Sequence, residues 1–217
     1  MNETSKTLKI WTEKEKQLLV GKGIDIGCGK DPVIPNVKCF DIENGDANFI
    51  TKFVDETFDF VFSSHCLEHM INPYEALYEW WKLVKPGGHL IFIVPDEDLY
   101  EQGIFPSKFN GDHKHTFTIS KSQSWSPVSV NVLDLAQSLP NGKIERLSLQ
   151  DRGYDRRKMV CGIKKRTLLA KLFFRTYQAI NIRFSWLDSI MKEYYPIDQT
   201  MQEDVFAQIE CIIKKNV

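Results

Sequence analysis

Neither a Cys-x-x-Cys pair nor a His/Cys cluster at zinc-binding spacing occurs in this sequence. Its five cysteines are an odd number in 217 residues and stand among apolar or mixed neighbours. A disulfide scaffold is thereby disfavoured, and reduced thiols in a cytoplasmic protein are expected. Charge of one sign is missing too. The formal net charge of −1 gives no global attraction to nucleic acid or to an anionic membrane, and no nucleic-acid partner is expected. No uninterrupted apolar run approaches the ~18 residues of a spanning helix, so no transmembrane segment is expected. Residues 1–9 are polar and lack the apolar core of a signal peptide. There is no internal repeat and no low-complexity tract. The length suits one well-buried domain, 1–217, and would leave a second one cramped.

What is present is organised around Gly23-Ile24-Asp25-Ile26-Gly27-Cys28-Gly29-Lys30. A short apolar run meets two glycines one residue apart, the pattern of a buried parallel strand ending in a tight turn beneath a ligand. Two common nucleotide motifs fail here. A dinucleotide fingerprint needs a third glycine where Pro32 stands, and an acid about 20 residues on, whereas Asp41 comes earlier. A P-loop needs Gly-Lys-Ser/Thr, which is absent.

Along the chain, Thr12 and Glu15 form a capping box that opens a short helix stopped by Gly21. A second strand, Val37 to Phe40, ends at Asp41. The segment from Gly29 to Asp41, with Pro32 and Pro35, is too short for an ordinary crossover helix. Phe58 to Phe62 is a strand. Asn72-Pro73-Tyr74-Glu75 opens a helix whose Leu77, Trp80, Trp81 and Val84 share one face. Pro86-Gly87-Gly88 turns into a strand over Leu90 to Val94. A polar and aromatic loop follows, then a helical stretch from Ser126-Pro127 to Leu139, a strand over Ile144 to Leu149, and a last strand over Phe206 to Ile213. The alternation argues for an α/β sheet.

Asp25-Ile26-Gly27-Cys28-Gly29, Asp41, Gly45-Asp46-Ala47, Phe58-Asp59-Phe60-Val61, Glu68-His69 and Leu83-Val84-Lys85-Pro86-Gly87-Gly88 occur in that order. As a set they resemble the class I S-adenosylmethionine-dependent methyltransferases of the small-molecule, methyltransferase type 11-like group, closely over residues 23–95. The resemblance implies a Rossmann-like seven-stranded, mostly parallel sheet whose last strand is antiparallel. It implies S-adenosylmethionine as cofactor and S-adenosylhomocysteine as product. Cofactor contacts would come from Asp25, Gly27, Cys28, Gly29, Asp41, Ile42, Asp46, Ala47, Ser63 and Ser64. Of these, Asp41 would take the ribose hydroxyls and Asp46 the adenine amino group. Residues 97–125 would form the loop covering the acceptor, with Tyr100, Asp112 and His115 as substrate contacts.

Methyl transfer from a sulfonium needs an aligned nucleophile and removal of its proton, and a histidine of near-neutral pKa suits the latter. His113 and His65 are the two candidates for that base. His113 and His115 could share a metal, but no third ligand is evident in the sequence, and no metal is expected. Residues 164–195 read as an amphipathic helical insert before the last strand. It offers Arg175 to an anionic substrate group and an apolar face to the acceptor site or to a second subunit in a homodimer. O-methylation of a small molecule, sugar or surface-glycan (capsule) precursor is the expected reaction, since the C-terminal arrangement resembles methyltransferases of glycan biosynthesis. The rival readings are a methyltransferase-like module that binds cofactor without turnover, and a nucleic-acid methyltransferase.

Overall fold

A computed structural model describes residues 3–159, 176 and 196–217. The expected insert over 164–195, with Arg175, lies outside the described residues. In chain order the elements are α1 (Glu3–Leu8), α2 (Glu13–Lys16), β1 (Gly23–Ile26), β2 (Lys38–Phe40), β3 (Phe58–Ser64), α3 (Pro73–Lys82), β4 (Val84–Pro95), β5 (Thr116–Thr118), β6 (Ser129–Asn131), α4 (Val132–Gln137), β7 (Gly142–Gln150) and β8 (Gln208–Lys215). Among the described residues, six strands form one sheet in the order β2-β1-β3-β4-β8-β7, and β5 pairs with β6 in a second, small sheet. The pairs β1/β2, β1/β3 and β3/β4 are parallel, and β8 runs antiparallel to both neighbours. The expected mixed sheet with an antiparallel last strand is therefore present.

Alternating side chains of the central strands divide between two cores, as the period of two requires. Leu90, Phe92 and Val94 face α3 and α4, joined by Leu77, Trp80, Trp81, Val132 and Leu135. Ile91 and Ile93 face the opposite way, onto Phe60, Phe62, Trp11, Leu19 and Val33. Trp11 meets Phe62 edge-on, with ring centroids 6.0 Å apart. Both faces being covered explains why β4 reads as a continuous apolar run rather than an alternation.

Two helix starts follow local signals in the sequence. Thr12 N donates to Glu15 Oε2 at 2.5 Å, completing the capping box. Asn72 Oδ1 accepts from Tyr74 N and Glu75 N at 3.0 and 3.4 Å, with Pro73 in the first turn of α3. The buried tryptophans satisfy their indole N–H groups on backbone: Trp80 on Ala47 O and Trp81 on Pro140 O.

The structure corrects four details. The main sheet has six described strands rather than seven, because only Ile42 to Gly45 separate Asp41 from Asp46. Residues Ala47–Lys52 then coil into 3₁₀ turns, which leaves no extended stretch for a third strand. The strand expected at Leu90 begins at Val84, since Pro86-Gly87-Gly88 is absorbed in a register shift against β3. Ser129–Asn131, placed in a helix by its sequence, is instead a strand beside β5, and the Asn131 side chain caps the shorter α4. The stretch 97–118 is not wholly loop: Glu97–Glu101 makes one wide helical turn and Thr116–Thr118 a strand.

One close approach is specific to glycine. A Cβ at Gly23 would sit 1.9 Å from Phe60 Cζ. Gly23→Ala should therefore lower the unfolding free energy by about 1–3 kcal/mol through overpacking, read as a reduced midpoint in urea. An unchanged midpoint would refute this contact.

Candidate active site

At the end of β1 the chain turns through Gly27 (φ 77°), Cys28 and Gly29 (φ 53°). Positive φ at both positions favours glycine. The two glycines face different surroundings. A Cβ on Gly27 would lie 2.7 Å from Cys66 Cβ, whereas one on Gly29 would meet nothing within 4 Å. Gly29 N and Ile42 N donate to the two carboxylate oxygens of Asp41, each at 2.7 Å. That carboxylate ties the ends of β1 and β2 into one cradle. Beside it Ile42 is 91 % exposed, an apolar side chain held out at the rim.

Asp25 is buried, and its Oδ2 accepts from Val33 N at 2.7 Å. Burial pushes its carboxyl up to about 7, against the Val33 bond and with the negative charges of Asp31 and Asp41 adding. Its observed contact pins the 28–33 loop from below. Asp31 in turn accepts from Ser5 N at 2.8 Å, which ties α1 to the loop between β1 and β2. Asp46 caps the 47–52 turns, accepting from Asn48 N and Nδ2, and Ala47 packs against the core. Ser63 Oγ donates to Ile26 O at 2.9 Å, whereas Ser64 Oγ is buried without a hydrogen-bond partner. Burial raises the thiols of Cys28 and Cys66, the latter to about 12, which removes both as thiolates.

Past the end of β3 a cavity of about 390 Å³ opens, with His65, Glu68, His69, Tyr100 and His113 on its wall. His65 has φ 53°, an unfavourable conformation for a residue with a Cβ, and its N–H extends the β3/β4 ladder to Ile93 O. Its Nε2 lies 3.0 Å from Gln208 Oε1. The Gln208 Nε2 group donates to Thr7 Oγ1 and Gln150 Oε1, so Oε1 accepts from His65. His113 Nδ1 lies 2.7 Å from Glu101 Oε1, and the Tyr100 ring lies 5.4 Å from the His113 ring, centroid to centroid. Glu68 is fully buried. Burial works against its charge, but the three histidines around it prevail, led by His65, and its carboxyl is lowered. Burial likewise disfavours the His65 cation, yet Glu68 outweighs it and raises that pKa.

The fold thus brings His65, His113 and Tyr100 together from the sequence candidates. It does not bring Asp112 or His115 with them. The Asp112 side chain is exposed and its carbonyl accepts from His69 Nδ1 at 3.2 Å, while His115 Nε2 lies 3.1 Å from Ile71 O. Two-residue spacing in an irregular loop sends His113 and His115 apart. Glu68 and His69 are not among the site residues expected from the sequence, although the Glu-His pair just past the strand end is a local signal for them.

Residues 28–92 match the family model for a methyltransferase domain. The chain resembles the class I S-adenosylmethionine-dependent methyltransferases. Solved structures of similar fold include a SAM-dependent methyltransferase from Archaeoglobus fulgidus, 13% identical over 99% of this chain and 95% of that one, with a TM-score of 0.48. Another is phosphoethanolamine N-methyltransferase 2 of Haemonchus contortus in complex with S-adenosylmethionine, 13% identical over 90% of this chain and 49% of that one, TM-score 0.45. The plantazolicin methyltransferase BamL, with S-adenosylhomocysteine, is 13% identical over 90% of this chain and 77% of that one, TM-score 0.46. No curated protein matches the chain.

The cofactor of this methyltransferase family is S-adenosylmethionine, and the cradle fits it. Open space above Gly29 admits a ligand against bare backbone, Asp41 keeps acceptor capacity beside its two N–H bonds, and Ile42 offers an apolar face. Asp25 supplies a test of the loop beneath. Its carboxyl holds a proton to about 7 when folded, against an ordinary aspartate value of 3.8, so the folded protein binds more protons and stability falls as pH rises through that window. Asp25→Asn should flatten that part of the fall in melting temperature between about pH 4 and pH 7 in the ligand-free protein. An undiminished slope would assign it to another group.

Proposed function

We propose that this chain transfers a methyl group from S-adenosylmethionine to a hydroxyl of a small acceptor held in the 390 Å³ cavity. One observation carries the reading. The turn after β3 packs Cys66 against Gly27 and, one residue earlier, carries His65 to the cavity, so cradle and cavity share a wall. When bound, the cofactor supplies a methyl group already activated on sulfur. The protein has to align the acceptor oxygen and remove its proton. His65 and His113, both on the cavity wall, are the groups for that proton. The size of the cavity suits a sugar or a comparable metabolite, and a sugar or surface-glycan precursor is the acceptor class we favour.

Calorimetry and mass spectrometry test this directly. Wild-type protein should bind S-adenosylmethionine, and Asp41→Ala should weaken it by about 1.5–3 kcal/mol, the scale of hydrogen bonds to a charged group. Methyl transfer should be detected to at least one of a set of sugars, nucleotide-linked sugars and phosphorylated metabolites. Replacing the histidine that takes the proton by alanine should then lower turnover by about 10²–10⁴ with cofactor affinity kept. Failure of the wild type to bind the cofactor removes the reading.

A further inference from the structure

The turn after β3 and the loop before β5 are locked together by backbone. Glu68 O accepts from Lys114 N and His115 N, at 2.9 and 3.3 Å. That clamp sets His113 against the Glu68-His69 pair, with the His69 and His113 ring centroids 5.1 Å apart at 73°. The ligand-type atoms of Glu68, His69 and His113 all lie within 4.8 Å of one another.

The outer nitrogens of the two rings are already committed. His69 Nδ1 faces a carbonyl, Asp112 O, which can only accept, and His113 Nδ1 faces the Glu101 carboxylate. Both Nδ1 atoms therefore carry the proton, and each Nε2 points inward at Glu68 Oε1, from 4.0 and 3.9 Å. Those distances are too long for hydrogen bonds. Neither carboxylate oxygen of Glu68 has a hydrogen-bond partner of good geometry, although the side chain is fully buried; the nearest nitrogen, His65 Nδ1, stands 3.5 Å from Oε1. Glu97, equally buried, shows the alternative in the same fold: it accepts from Thr116 Oγ1, Lys121 Nζ, Ser124 Oγ and Ser129 Oγ.

A buried carboxylate ringed by histidine nitrogens that all stop short of good hydrogen-bond distance is costly. Two imidazole nitrogens and one carboxylate oxygen converging on one point are what a divalent transition metal requires, at about 2.0–2.2 Å from each. Such ligands stand about 3–3.5 Å apart around a tetrahedral ion, so each would move by less than an ångström. The outer contacts are also those of a metal site, where each histidine donates its second N–H to a carboxylate or carbonyl. The geometry points to a binding site for one divalent first-row transition-metal ion, of the zinc type, formed by Glu68, His69 and His113 on the wall of the cavity. The ion keeps free positions on the cavity side for an oxygen donor of the acceptor. That last clause rests on the methyltransferase reading; the ion does not.

The test uses the full chain, stripped with a chelator and titrated with Zn²⁺ and with Co²⁺, whose visible absorption reports nitrogen and oxygen ligands. One equivalent should bind, and Co²⁺ should give the intense bands of a low-coordinate site. Glu101→Gln should weaken Zn²⁺ binding about 10–100-fold by loosening His113, and Glu68→Gln and His69→Ala by more. His89→Gln, on a strand away from the cavity, should leave binding unchanged. Wild-type protein that binds no Zn²⁺ and shows no Co²⁺ bands overturns the site, whatever the variants do. Binding that survives both Glu68→Gln and His69→Ala, with folding verified by circular dichroism, overturns it as well. A wild type that binds the ion but not S-adenosylmethionine upholds the site and removes the methyltransferase reading. Methyl transfer at full rate by the metal-stripped protein upholds that reading and overturns the ion's contact with the acceptor, while the site itself stands or falls on the Zn²⁺ titration.

Discussion

The central strands β3 and β4 are covered on both faces, and this constraint shapes the rest of the molecule. Phe60, Val61, Phe62, Ile91, Phe92 and Ile93 are almost wholly inaccessible, so the middle of the sheet has no room for a polar group that lacks a partner. Polar side chains therefore collect where the strands run out. Ser64 ends β3 and His65 and Glu68 follow it, and Asp96 and Glu97 follow β4. The candidate site lies at the carboxyl edge, the first place where backbone and side chains are free to face a ligand.

Buried carboxylates at that edge do two kinds of work. Asp96 caps the turn after β4, accepting from Asp98 N and Leu99 N, and burial raises its carboxyl to about 6. Glu97 gathers donors from β5, β6 and the segment between them, fixing the small sheet on the large one. Asp25 does similar service under the glycine turn. Glu68 differs. Its backbone carbonyl is fully used, while its carboxylate meets histidine nitrogens only at 3.5 to 4.0 Å. The contrast between structurally satisfied acids and one left facing a cavity is the strongest local asymmetry at this edge.

The N-terminal segment has an outsized part in closing the cradle. With the Gly29-to-Asp41 connection reduced to turns, α1 reaches over through Ser5 and Asp31, and Lys6 Nζ donates to Thr200 O at 2.7 Å beside the cavity. A short connection on one side of the site is thus compensated by a segment from the chain terminus. The departure from the usual crossover is visible in the prolines, but the compensation is not.

The sequence by itself determined the α/β class, most strands, the capped helix at Asn72, and the glycine turn with Asp41. Each is specified by neighbours in the chain: a period of two or of 3.6, a cap three residues from its partner, a glycine where φ must be positive. It left the strand at Ser129–Asn131 unreadable, because three residues carry no period and are held there by pairing with β5. Only the tertiary structure decided which histidines meet. His113 and His115 are two residues apart and part company, whereas His113 and Glu68, 45 positions apart, converge through two backbone bonds to one carbonyl. Spacing along an irregular loop does not fix direction; the clamp between two loops does.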